Sequence, residues 1–259
     1  MTDRVLLTDV IDPTGVEALS RAAEVVQAPD GEPETVRRLA READAIVTRT
    51  RLPDDIFDAA PRVRAVTIHG TGIDLVPLEA ATAKGVLVAN LPGGNAQSVA
   101  EYCVMAMLML ARNAAAIVGA MRSGPWDDAR ALGSQVHEIA GMTCGIVGVG
   151  EIGRRLAQIV RRGAVVDEQA LVEALAARRI RGAMLDVYEH YRLAPGHPLY
   201  ALDRAVLTPH LAGMTRESRI RMGAAAARAT LAMLAGGRPE HFVNPDAWSA
   251  HLERRPANR

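Results

Sequence analysis

The chain has 259 residues, 49% of them apolar and 23% charged, with 22 glycines and 14 prolines; it is long enough for two modest domains and too apolar for a disordered or collagen-like chain. Thirty basic residues balance thirty acidic ones, so no net field draws it to nucleic acid or an anionic membrane. Two cysteines, Cys103 and Cys144, make neither a disulfide framework nor a metal cage, and the charged start (Asp3, Arg4, Asp9) holds no apolar signal region; the expectation is a soluble cytoplasmic protein with no metal site.

The first ninety residues alternate short β-branched runs with helical patterns. Residues 4–9, 24–26, 45–49, 65–69 and 87–90 read as strands, and 15–23, 33–43, 53–60 and 77–85 as the helices between and around them. Strand–helix alternation at this spacing implies a mostly parallel sheet covered by helices. Residues 91–95 form a turn cluster, after which 95–121 predicts one long helix. Its apolar residues are too dense for one exposed face, so it is expected to pack on both sides. Arg112 interrupts its apolar stretch and Glu101 precedes it, which fits a buried helix better than a membrane span. Residues 122–142 are polar and turn-rich and read as an irregular connection. Then come a strand and helix (143–160), a helix (167–179), strands at 183–188 and 205–210, and a long helix from Thr215 to Leu234.

Between the strand and the helix of 143–160 lies Gly148-Val149-Gly150-Glu151-Ile152-Gly153, a G-x-G-x-x-G turn. The first glycine permits the tight turn and the second lets a pyrophosphate approach the backbone. The third allows close helix–strand contact, while the helix N-terminus offers free N–H groups. The pattern also calls for an acid about twenty residues on, for the ribose. Asp167 stands nineteen after Gly148, but Asp167-Glu168 opens a helix pattern, where aspartate also serves as an N-cap.

Several motifs in fixed order carry a family resemblance: residues 68–90, 95–110, 145–153, 162–175, 182–189 and 207–215. Through them nearly the whole chain resembles the D-isomer-specific 2-hydroxyacid dehydrogenases, the group with phosphoglycerate, glycerate and formate dehydrogenases. The resemblance implies an α/β protein of two domains: a flavodoxin-like substrate domain (1–94 and 214–259) and a Rossmann-type dinucleotide domain (95–213). It implies NAD as cofactor, with NADP not distinguished, a small 2-hydroxy or 2-keto acid as substrate, and a homodimer. His210 would be the general acid/base, a task suited to a side chain that titrates near neutrality. Arg162 would clamp the substrate carboxylate with its planar fork, and backbone N–H groups of His69, Gly70, Thr71 and Gly72 would hold the same group. Thr71 would lie against the cofactor together with Gly148, Gly150, Glu151, Ile152 and Gly153. Asp186 would sit near the nicotinamide, or serve as a strand-end aspartate with local hydrogen bonds.

Two departures from the family pattern stand out. The glutamate that pairs with the catalytic histidine falls on Tyr191, with Glu189 two residues out of register; a tyrosine supplies no negative charge at neutral pH, so an imidazolium at 210 would be less favoured. Between Val160 and Arg162 the family carries roughly 70 further residues, including strands of the doubly wound sheet and the ribose-binding acid; here only Arg161 stands there. In family register Asp167 follows the catalytic arginine, so its spacing from Gly148 comes from that junction. Two readings follow. One is an NAD(P)-dependent oxidoreductase acting on a small 2-hydroxy acid; the other is a catalytically dead remnant that serves as a dimerisation or binding module.

Overall fold

The computed structural model describes residues 2–140, 142, 146, 150–160, 183–188, 194–202 and 205–254. In chain order the elements are β1 (Asp3–Leu7), α1 (Pro13–Ser20), β2 (Ala23–Gln27), α2 (Pro33–Ala40), β3 (Ala45–Thr48), α3 (Ile56–Ala59), β4 (Ala65–Ile68), α4 (Leu78–Ala83) and β5 (Leu87–Ala89). There follow α5 (Ala96–Ala111), α6 (Ala114–Ser123), α7 (Trp126–Leu132), α8 (Glu151–Val160), β6 (Ala183–Leu185), β7 (Ala205–Leu207), α9 (Arg216–Leu234) and α10 (Trp248–Glu253). They belong to two compact units, Met1–Asn95 with Arg216–Arg259, and Ala96–Thr215.

The first unit is built on a five-stranded sheet of order β2-β1-β3-β4-β5, every pair parallel. This is the flavodoxin-like order, in which the winding direction reverses between β1 and β3. Strand side chains alternate between faces, and the two faces meet different helices. Val5, Leu7, Val47, Leu87 and Ala89 pack with Leu19 of α1 and Met222, Ala226 and Met233 of α9. Leu6, Ile46, Val66, Ile68 and Val88 pack with Val36 of α2 and Ile56 and Phe57 of α3. β3 and β4 are buried on both faces, which is why AIVT and AVTI read as unbroken β-forming runs rather than alternating ones.

Local chemistry fixes the joints. Asp12 caps α1 by accepting from the Thr14 N–H at 3.0 Å, with Pro13 at the first helical position, the place where a missing N–H costs least. α1 crosses α9 at two glycines: a Cβ on Gly15 would lie 2.6 Å from the Gly223 carbonyl oxygen. After α9 the chain returns to β5 through Asn244, whose Oδ1 accepts from Val88 N–H and whose Nδ2 donates to the Val86 carbonyl, each at 2.8 Å. Apart from β2, each strand of this sheet stops one or two residues before the expected β-forming run does. Thr8 and Asp9, Arg49, His69 and Asn90 therefore follow the strand ends at the carboxyl edge of the sheet.

In the second unit α5 packs against α8, and β6 pairs parallel with β7 from Ala183↔Ala205 to Leu185↔Leu207. The structure corrects two expectations here. The single helix over 95–121 is two, because Asn113 adopts a left-handed conformation (φ 49°) and turns α6 by 61° from α5. Nor do these helices pack on both sides: on α5 only Ala96, Ser98 and Ala100 are buried, and on α6 no residue is. Met105, Leu108, Val118 and Met121 are each more than 40% exposed. The connection 122–142 is not wholly irregular, since α7 forms within it behind Pro125, with Asp127 and Asp128 in its first turn, where acids favour the helix dipole. Among the described residues no single helix is long and apolar enough to cross a membrane, although the bent α5–α6 pair passes that test of length and composition jointly. The expected strand at 143–149 lies largely outside the described residues, and the helix at 167–179 wholly so.

Candidate active site

Each unit carries residues that the sequence singles out, and each set is built locally. In the first unit the chain leaves β4 at His69 and enters the loop Gly70–Thr71–Gly72. The loop is tied to the segment after β5. Leu91 N–H donates to the Gly70 carbonyl at 2.8 Å, and the Asn90 side-chain amide donates to the Thr71 carbonyl at 2.8 Å. Thr71 and Gly72 are exposed. Among the described residues the N–H groups of Gly70, Thr71 and Gly72 meet no acceptor, leaving a short run of donors open to an anion. His69 does not join them: its N–H donates to the Thr48 carbonyl at 2.8 Å, extending the β3–β4 ladder. That corrects the expectation that four consecutive N–H groups face the carboxylate. The His69 ring is buried, and among the described residues neither nitrogen has a hydrogen-bond partner. Burial first, and then the Arg49 guanidinium, hold its pKa down at about 4.

In the second unit a tight turn after β7 carries His210, itself in the left-handed region at φ 54°. Asp186, one residue beyond β6, holds that turn. Its carbonyl accepts from His210 N–H at 2.9 Å. Its Oδ1 accepts from Thr208 Oγ1 at 2.7 Å and from Leu211 N–H at 2.8 Å, and its Oδ2 from Ala212 N–H at 2.8 Å. The local hydrogen-bonding reading of Asp186 thus describes what its carboxylate does. Two tyrosines that sequence reasoning gave no role complete the support. Tyr188 donates to the Thr208 carbonyl at 2.9 Å, and Tyr102 of α5 hydrogen-bonds the Thr208 hydroxyl. Burial raises the pKa of both phenols, so both keep their protons at neutral pH. Their only sequence signal was position, two residues after Asp186 for Tyr188 and inside the α5 motif for Tyr102.

The glycine turn enters α8 at Glu151. Glu151 pairs with Arg154, Ile152 is 39% exposed and Gly153 is buried. A Cβ added to Gly150 would meet nothing within 4 Å, so the backbone just before the helix N-terminus has open space beside it. A pyrophosphate needs that approach, and the described part of the turn fits one. Gly148, Arg162, Glu189 and Tyr191 lie outside the described residues. Among the described residues no group of acids, histidines and cysteines has the makings of a metal site.

Comparison with known proteins identifies the family. Residues 5–244 match the family described as D-isomer specific 2-hydroxyacid dehydrogenase, catalytic domain. A glyoxylate reductase of Aeropyrum pernix is 30% identical over 320 aligned positions, covering 93% of this chain and 96% of that protein. The alignment exceeds the 259 residues of this chain by 61 positions, so at least 61 internal positions of the relative face gaps here. Among solved structures, an NADPH-dependent glyoxylate/hydroxypyruvate reductase of Sinorhizobium meliloti with NADP and malonate superposes with a TM-score of 0.79 at 21% identity, covering 100% of both chains. A protein of Thermus thermophilus does so at 0.81 and 25%, over 93% of this chain and 99% of its own.

Proposed function

This chain belongs to the D-isomer-specific 2-hydroxyacid dehydrogenase family, nicotinamide-dependent oxidoreductases, and on that premise we propose that its two units divide the work as substrate unit (1–94 and 214–259) and cofactor unit (95–213). The observation that carries the reading is the Asp186-held turn presenting His210. His210 is the general acid/base: it gives a proton to the carbonyl oxygen of a small 2-keto acid during reduction and takes it from the hydroxyl of the D-2-hydroxy acid during oxidation. Arg162 and the N–H groups of Gly70, Thr71 and Gly72 hold the substrate carboxylate. Gly148, Gly150, Glu151, Ile152 and Gly153 receive the pyrophosphate at the start of α8. Thr71 and Asp186 are the residues assigned to the nicotinamide end. When bound, NAD or NADP supplies or accepts the hydride.

Asp186 acts here as a positioning residue, since its carboxylate is spent on the turn rather than on a reacting atom. The apolar surface of α5 and α6 supports a homodimer as the working form, and the absence of a disulfide framework in the sequence supports a cytoplasmic setting. The test is oxidation of NADH or NADPH by glyoxylate and by hydroxypyruvate in the full chain, set beside His210→Ala. Turnover in the parent and none in the variant is the expected result; turnover in neither favours the second reading. That reading, a remnant serving as a dimerisation or binding module, is favoured by the 61 or more unmatched positions. Intact mass separates the cases at the outset, because a molecule of 27.6 kDa lacks the segment and a heavier one contains it.

A further inference from the structure

At the carboxyl edge of the first unit's sheet, polar residues gather where a flavodoxin-like sheet binds ligands, beside the point at which the winding reverses between β1 and β3. Thr8 and Asp9 follow β1, Thr48 ends β3 with Arg49 just beyond it, and His69 follows β4. The Thr8 and Thr48 hydroxyls meet at 3.0 Å, and Arg49 N–H donates to Thr8 Oγ1 at 3.2 Å. The Arg49 guanidinium stands 3.9 Å from the Asp9 carboxylate, a loose pair. By strand alternation His69 shares the face of Thr67, whose hydroxyl meets Thr230 of α9 at 2.7 Å. Arg219 of the same helix acts on the imidazole electrostatically, as do Arg49 and Asp9.

His69 is the anomaly in this group. Its residue is 8% exposed, and among the described residues neither Nδ1 nor Nε2 has a hydrogen-bond partner. A buried polar atom without a partner destabilises the fold, which an aliphatic side chain at the end of β4 would avoid. The ring follows directly on β4 and precedes the Gly70–Gly72 loop. Burial and the two arginines keep it uncharged at neutral pH, so it offers one N–H donor and one lone-pair acceptor. A hydroxyl, itself donor and acceptor, complements that pair. A carboxylate only accepts, and a methyl group does neither.

We infer that His69 is a specificity residue that receives the C3 hydroxyl of a D-2,3-dihydroxy acid or of the matching 3-hydroxy-2-keto acid. The inference rests on the proposed role of the Gly70–Gly72 loop, which holds the carboxylate at the other end of the same short molecule. A site built to hydrogen-bond a hydroxyl rejects the analogue without it strongly, because its own buried groups are then left unpartnered.

The experiment is calorimetric titration of the full chain, with NADH in excess so that no turnover occurs, by D-glycerate, D-lactate and D-malate. These acids carry a hydroxyl, a hydrogen and a carboxylate at C3. D-Glycerate is expected to bind at least about tenfold more tightly than D-lactate. His69→Leu should bring that ratio to about one, while His69→Gln, which keeps a donor and an acceptor, retains part of it. Equal affinities in the parent chain, or a preference that survives His69→Leu, overturn the assignment. Tighter binding of D-malate than of D-glycerate overturns it in favour of an anionic tail. If none of the three binds, the proposed function fails and this inference fails with it. Should His69→Leu not fold, the ring ¹⁵N signals of His69 decide: a shift with D-glycerate and none with D-lactate supports the assignment, and the same response to both overturns it.

Discussion

The carbonyl oxygen of Asp186 accepts the backbone N–H of His210 at 2.9 Å, while the carboxylate of the same residue takes the next two N–H groups, of Leu211 and Ala212. One aspartate at the end of β6 thereby sets the backbone of the turn that presents the proposed acid/base. The turn needs this support because His210 sits at φ 54°, a region a non-glycine residue enters at a cost of about 1–3 kcal/mol unless its surroundings impose it.

Asp186→Asn follows as the first test. An amide keeps one accepting oxygen and presents a donor in place of the other, so one of the Leu211 and Ala212 N–H groups loses its acceptor. A loss of about 1–2 kcal/mol in stability is expected. A fall of roughly tenfold to a hundredfold in kcat should exceed any rise in KM, because the proton-transfer geometry and not the carboxylate clamp is disturbed. Steady-state kinetics and a thermal melt together check it. A change confined to KM would show that Asp186 contacts substrate instead of holding the turn.

His210 itself can be removed without losing the turn. Asparagine tolerates the left-handed region, so His210→Asn should melt at or above the parent temperature and yet lose both directions of the reaction. Residual activity within about tenfold of the parent would sink the acid/base assignment, since general acid–base catalysis contributes about a hundredfold or more.

The first unit was the most legible part of this sequence, and its strand ends were the least. AIVT and AVTI announce themselves because strands buried on both faces have no polar side to vary. Arg49 and His69 prolong the same β-forming pattern, but the strands end just before them, and only the fold reveals that they gather at the sheet edge. The helix over 95–121 misled for a related reason. Apolar density signals burial but does not say by what, and Asn113, unremarkable in sequence, bends the chain away. The turns at Gly150 and His210 were legible because short motifs mark them. Tyr102 and Tyr188 were not, because a phenol that braces a turn has no pattern of its own.

Cofactor affinity tests the shortened segment. The open space beside Gly150 at the start of α8 leaves room for a pyrophosphate, but Asp167, the acid at the expected spacing, falls in family register beyond the catalytic arginine, so NADH should bind far more weakly than to a relative that carries the longer segment. Fluorescence titration of the 259-residue chain checks this. Micromolar affinity would show that other residues, or a second copy, rebuild the adenosine site.

Assembly is read from α5 and α6. Met105, Leu108, Val118 and Met121 leave apolar area in water that association would bury. Sedimentation should find a dimer at micromolar concentration, and the pair Met105→Glu with Leu108→Glu should return it to a monomer. A monomeric parent would remove the support for the homodimer and for the dimerisation-module reading alike.

Acid stability isolates His69. Its imidazole titrates near about 4 in the folded chain, lowered by burial, against 6.5 when exposed. Between those values the unfolded chain binds a proton that the native ring refuses, so stability is full above about pH 6.5 and is lost progressively as the pH falls towards 4. The gap corresponds to on the order of 3 kcal/mol. The buried His251, also lowered chiefly by burial, adds a loss of the same sign, but it does so equally in a variant that differs only at residue 69. His69→Leu should therefore gain stability relative to the parent by about that amount between pH 7 and pH 4, measured by urea unfolding at each pH. A difference between the two proteins that stays constant across this range would mean that His69 takes up its proton in the folded state, and that the neutral ring required for hydroxyl recognition is not the form present.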